Sequence, residues 1–183
     1  MFRIRQALAS DRPTMERIIE HSVNELQAVD YSPEQRAGAL GVIFAIDSQL
    51  LHDGTYLLAE TTDSRVDGGM ILGCGAWSRR SNPFGGDKVA GKSDDLLDPT
   101  VDAARIRSFF VHPDYARKGV GTAILRACES AARAAGFRRA ELVATLTGVP
   151  LYSVQGYTES RRFDVPLPNG AALPVVGMWK SLG

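Results

Sequence analysis

Residues Arg105 to Gly136 change their hydrophobic rhythm within a few positions, and that change constrains the chain's class more firmly than any other stretch. Arg105 to Val111 sets Ile106, Phe109, Phe110 and Val111 in a run apolar enough for a buried strand, which Pro113 ends because it has no N–H for a ladder. Past Gly121 the spacing turns helical: Ile124, Leu125, Cys128, Ala131, Ala132 and Ala135 share one face, while Arg126, Glu129 and Arg133 lie elsewhere. Glu129 and Arg133 are spaced as a favourable helix pair, and Gly136 occupies a helix-end position. Helices and strands also alternate elsewhere, so the chain reads as α/β with a layered, mixed sheet.

The loop Ala116-Arg117-Lys118-Gly119-Val120-Gly121-Thr122 sets two cations, two glycines and several backbone amides at the positive end of that helix. Such a combination forms an anion cradle. A lone GxG before a helix also serves as a plain turn, and spacing alone leaves both readings open. A dinucleotide fingerprint would need glycine at Ile124, and the G-x-x-x-x-G-K-[ST] of a P-loop is absent.

The string VHPDYARKGVGTAIL resembles motif A of the GNAT superfamily, the Gcn5-related N-acetyltransferases, whose loops read [QR]-x-x-G-x-[GA] after a strand ending in V-x-P; Ala116 takes the first motif position here. Thr145 to Tyr157 resembles the later motif N-x-x-A-x-x-x-Y-x-x-x-G-[FY]. It matches at Tyr152, Gly156 and Tyr157, with Thr145 in place of Asn and Gly148 in place of Ala. The resemblance implies one domain over residues 1–183, with a mixed, mostly antiparallel central sheet flanked by helices on both faces. It implies acetyl transfer from acetyl-CoA, as co-substrate, to an amine of a small molecule or protein by direct attack on the thioester. The alternative is a non-catalytic sensor that binds CoA or acyl-CoA.

Carried over residue by residue, the resemblance lays the pyrophosphate on the amides of Arg117, Lys118, Gly119, Val120, Gly121 and Thr122. It runs the pantetheine arm along Phe109, Phe110 and Val111, with Thr145 beside it. Val111 then offers its amide to the oxyanion, and Tyr152 is the general acid. A phenol with pKa near about 10 protonates a thiolate of conjugate-acid pKa about 8.5 only with help from the site. Packing beside Leu151 is the competing reading of Tyr152. No carboxylate stands on the Arg105 to Val111 strand, so Glu25, Asp30, His21, a water chain or a neutral amine is left as the source of the base. Tyr31, Trp77, Arg105 and Arg107 are candidate acceptor contacts, the arginines hinting at a carboxylate-bearing acceptor; the competing readings are a staple packing on the next helix turn for Tyr31, half-buried packing for Trp77 and ordinary surface cations for the arginines. His112, before Pro113, reads as a turn residue.

Lys plus Arg equals Asp plus Glu at 21 each in 183 residues, so no global field favours nucleic acid or anionic lipid. Three scattered histidines lack metal-ligand spacing, and no metal is expected. Cys74 and Cys128 read as reduced core residues. The start MFRIRQALASDR has no signal core and no apolar run approaches membrane length, so the expectation is a cytoplasmic protein with no membrane partner; a homodimer is left open.

Elsewhere, Phe2 to Gln6 alternates as a strand, and Ser10 or Asp11 precedes a helix with Met15, Ile18, Ile19, Val23 and Leu26 on one side. Ser32-Pro33-Glu34-Gln35 supplies a capping box before Ala37, Leu40 and Phe44 at helical spacing. Thr55 to Glu60 and Met70 to Ser78 read as a hairpin joined through Asp63 to Gly69. Residues 79–102 form a long Gly-, Asp- and Lys-rich loop, either a lid or a solvated insertion. Ala140 to Ala144 is a strand, Val149 to Gln155 a helix, and Tyr157 to Val165 pairs with Leu173 to Lys180 across Asn169-Gly170.

Overall fold

The computed structural model describes residues 1–62 and 69–183; residues 63–68, most of the expected hairpin connection, lie outside the described residues. Seven strands form one sheet: β1 (Phe2–Gln6), β2 (Tyr56–Thr61), β3 (Ile71–Ser78), β4 (Ala104–Val111), β5 (Arg139–Thr145), β6 (Thr158–Pro166) and β7 (Ala172–Ser181). Their order is β1-β2-β3-β4-β5-β7-β6, and every neighbouring pair is antiparallel except β4 and β5. The parallel pair follows from the crossover of α4 (Val120–Ala134), since parallel strands need a long connection.

Alternation along the strands builds a core on each face. Phe110, Leu173 and Val175 pack with Met15, Ile18, Ile19 and Val23 from α1 (Arg12–His21) and the turn after it. Leu142, Val176 and Met178 pack on the other face with Val120, Ile124, Leu125, Cys128 and Ala132 of α4. Glu129 departs from the sequence reading: it is 4% exposed and pairs with Lys180 on β7 rather than with Arg133.

The capping box before α2 (Pro33–Ala39) is formed in full: Gln35 N–H donates to Ser32 Oγ at 3.2 Å, and Ser32 N–H donates to Gln35 Oε1 at 2.9 Å. The helix stops at Ala39, so Leu40 and Phe44 lie beyond it. Asp47 caps a short helix, α3 (Ser48–His52), that the sequence did not announce. α1 opens into a π-helical turn over Ser22–Leu26, and α5 (Val149–Val154) carries Tyr152.

Candidate active site

The β4–β5 ladder is short. Ala104, Arg105 and Ile106 pair with Ala140, Glu141 and Leu142, and no pairing continues beyond them although both strands run on. The strands splay apart there, leaving a cleft of about 700 Å³ lined by Arg107 to Val111 on one side and Val143 to Thr145 on the other. Its lining comes from both cores, Phe110 and Val175 from one, Tyr152 and Val120 from the other, so the opening runs from one face of the sheet to the other.

A bulge shapes the β4 wall. Arg107 pairs with Ala76 and Phe110 with Cys74, so Ser108 and Phe109 together face Gly75 alone. Ser108 takes φ of 61°, a left-handed conformation that costs a side-chain-bearing residue about 1–3 kcal/mol and is held only where its surroundings demand it. Beyond the bulge His112 N–H donates to Leu72 O at 2.9 Å. Alternation along an antiparallel ladder then aims the Val111 N–H away from β3 and toward the cleft.

His112 is the turn residue its sequence position suggested, its Nδ1 accepting from Asp114 N–H at 3.2 Å. After that turn Arg117 (φ 62°) and Gly119 (φ 83°) are both left-handed, and α4 begins at Val120. Left-handed residues between right-handed ones turn successive N–H groups to one side. Among the described residues none of the amides from Arg117 to Thr122 donates to a protein acceptor, whereas Ala116 and Ala123 on either side both do. A Cβ on Gly119 would meet nothing within 4 Å, so the hollow in front of it is open. Arg117, Gly119, Val120, Gly121 and Thr122 line the cleft, while the Lys118 ammonium lies 5.2 Å from the Tyr115 ring centre.

Tyr152 reaches the cleft from α5, 7% exposed, with its ring edge-on to Phe109 at 6.1 Å and to Tyr157 at 5.7 Å. Burial pushes its pKa up, with nearby Cys128 contributing, so the phenol is protonated at neutral pH. The two departures from the later motif fit each other. Thr145 Oγ1 accepts from Gly148 N–H at 3.1 Å, and an alanine Cβ at 148 would stand 3.2 Å from both that oxygen and the Tyr152 ring.

The acceptor candidates divide. Arg107 lines the cleft with both terminal nitrogens taken: Nη2 meets Asp47 Oδ2 at 2.9 Å and Gly85 O at 2.5 Å, and Nη1 meets Asn82 O at 3.1 Å, while its buried Nε–H has no partner among the described residues. Arg105 pairs with Glu141 outside the cleft. Trp77 is buried against Phe137 at 6.3 Å, and Tyr31 is a core residue whose hydroxyl accepts from Leu146 N–H (2.9 Å) and donates to Pro174 O (2.6 Å). None of these three touches the cleft, and neither do Glu25, Asp30 or His21. Asp30 accepts from Thr147 Oγ1 at 2.7 Å, and His21 lies edge-on to His112 at 5.9 Å.

Asp47 is the organising residue that the sequence did not reveal. Besides Arg107 it receives Lys92 Nζ at 3.1 Å, and the loop over residues 79–102 is further tied down by Arg80 on Asp53 at 2.6 Å and by Ser48 N–H and Oγ on Asp87. The loop is thus a strap fastened to α3, and Pro83, Phe84 and Gly85 close one end of the cleft.

No curated protein sequence matches the chain. Solved structures do: a GCN5-related N-acetyltransferase from Rhodopseudomonas palustris (24% identity, 99% of this chain and 96% of that one, TM-score 0.70) and the PaiA N-acetyltransferase of Thermoplasma acidophilum in complex with coenzyme A (16%, 99% and 99%, 0.66) share the fold. So does a phosphinothricin acetyltransferase from Sinorhizobium meliloti in complex with acetyl-CoA (20%, 100% and 89%, 0.63). The sequence pattern of the acetyltransferase (GNAT) family matches residues 20–157, three quarters of the chain, and the protein belongs to that family.

Proposed function

We propose that the protein transfers the acetyl group of acetyl-CoA to an amine by direct attack of the amine on the thioester. One observation carries the reading: the loop from Arg117 to Thr122, with its amides unpartnered among the described residues and all but Lys118 lining the cleft, shares that cleft with Val111 and Tyr152. The structural neighbours holding coenzyme A and acetyl-CoA support the choice of donor.

Acetyl-CoA supplies an activated acyl carbon. The amides of Arg117 to Thr122 at the α4 start suit a diphosphate, with Arg117 beside them. The outer edge of β4 from Phe109 to Val111 suits the amide groups of a pantetheine arm, and Thr145 borders the same channel. In the reaction an N–C bond forms, the C–S bond breaks, and one proton passes in net from nitrogen to sulfur. Val111 N–H donates to the carbonyl oxygen as negative charge grows there, and Tyr152 donates the proton that sulfur needs.

Calorimetry with acetyl-CoA and CoA, followed by a thiol-release assay over amines, tests the reading. Expected are saturable binding of both nucleotides and amine-dependent release. Binding with no release on any amine would instead fit a sensor.

A further inference from the structure

The strap end of the cleft is apolar. Leu26, Phe44, Phe84 and Val175 wall it, and the Phe44 and Phe110 rings meet edge-on at 6.0 Å. No Asp, Glu or His lines the cleft among the described residues. Of its two arginines, Arg117 belongs to the phosphate loop, and Arg107 is buried with its charge matched by Asp47. A polycationic acceptor would lose its water here with nothing to neutralise it, and an acceptor carboxylate would find the Arg107 charge already matched by Asp47. Nothing at this end is placed to strip a proton from an ammonium ion either.

Two neutral polar side chains interrupt the apolar wall, one at each end of the π-helical turn. Ser22 and Gln27 are each 5% exposed, and Gln27 Oε1 is buried without a hydrogen-bond partner among the described residues. A buried carboxamide with an unmade bond beside a cleft calls for a partner, and π-turns recur at functional sites.

Resting on the acetyl-transfer reading, we propose that the acceptor is a small aromatic amine. Its ring fills the space between Phe44, Phe84 and Val175, its weakly basic amino group arrives uncharged near neutral pH, and the Gln27 carboxamide rotates its closed-off oxygen toward the cleft to accept one of its N–H hydrogens.

The test compares an alkyl-substituted aniline with phenethylamine, spermidine and glutamate in the thiol-release assay, alongside calorimetry of each amine on CoA-saturated protein. The aniline should show the highest kcat/KM, by about tenfold or more, and bind the CoA complex measurably. Gln27→Leu should raise the aniline KM about tenfold with kcat nearly kept, leave acetyl-CoA affinity unchanged and not lower the melting temperature, since the amide has no protein partner to lose. Gln27→Glu should shift preference toward phenethylamine. Faster turnover of spermidine or glutamate, or acetyl-CoA binding without release on any aniline, overturns the acceptor assignment and leaves the donor reading standing. A lower melting temperature with unchanged KM in Gln27→Leu overturns the role of Gln27. Failure of acetyl-CoA to bind overturns both readings.

Discussion

Lys180 holds its ammonium 2.9 and 3.0 Å from the two carboxylate oxygens of Glu129 and 5.5 Å from the centre of the Tyr157 ring. This pair fastens α4 to β7 behind Tyr157, whose buried hydroxyl has no hydrogen-bond partner among the described residues and whose pKa is driven up by burial and then by the Glu129 charge. Removing Lys180 strands a carboxylate that is 4% exposed. Lys180→Ala should therefore destabilise the fold by about 2 kcal/mol in urea unfolding, less than a fully buried pair because its side chain keeps 24% exposure. The double variant Glu129→Gln with Lys180→Met should recover most of that loss.

Tyr152→Phe deletes only the hydroxyl that borders the cleft. Turnover should fall about 100-fold, the scale of a lost general acid, while acetyl-CoA affinity by calorimetry stays within about twofold. Unchanged turnover would take Tyr152 out of the reaction.

Gly119→Val should do the opposite. The residue sits at φ 83° in front of an open hollow, so a branched side chain both strains the turn and fills the space the diphosphate would take. Donor affinity should drop at least about tenfold, with turnover at saturating donor largely kept.

Acid should unfasten the strap. The hydrogen bond from Arg80, aided by one from Gln49, holds the Asp53 carboxyl below its ordinary value against the effect of burial. A lowered folded-state pKa stabilises the protein above the unfolded value of about 3.9, and that contribution is lost as pH falls through the lower folded value. Asp11, held down first by Arg5, and Glu60, held down first by Arg3, act in the same sense. The urea midpoint should decline below about pH 4, and Asp53→Asn should be less stable at neutral pH with a shallower acid decline.

Both thiols should be inert in the native state. Cys74 and Cys128 are fully buried, and burial pushes the Cys74 pKa up to about 12 and raises that of Cys128 as well. Iodoacetamide at mildly alkaline pH should modify neither until denaturant is added, and then both.

What the sequence made legible was local. The Ser32 to Gln35 capping box, most of the α4 apolar face and the left-handed turn at Gly119 each declare themselves within a few residues. What stayed hidden depends on residues far apart in the chain. Glu129 looks like a surface partner for Arg133 until β7 brings Lys180 across it. Asp47 meets Arg107 and Lys92 from 45 or more positions away, so nothing nearby marks it as the fastening point of the strap. Tyr31, read as a staple or an acceptor contact, turned out to bridge Leu146 and Pro174, two backbone segments over a hundred residues downstream. The end of pairing after Ile106 and Leu142 is a property of two strands together and has no signature in either.

That early parting of β4 from β5 has a kinetic consequence. A cleft walled by residues of both cores has room for nucleotide and amine together, so the acyl group need not be handed to the protein in between. On the proposed reaction, initial-rate lines at fixed amine concentrations should then converge rather than run parallel.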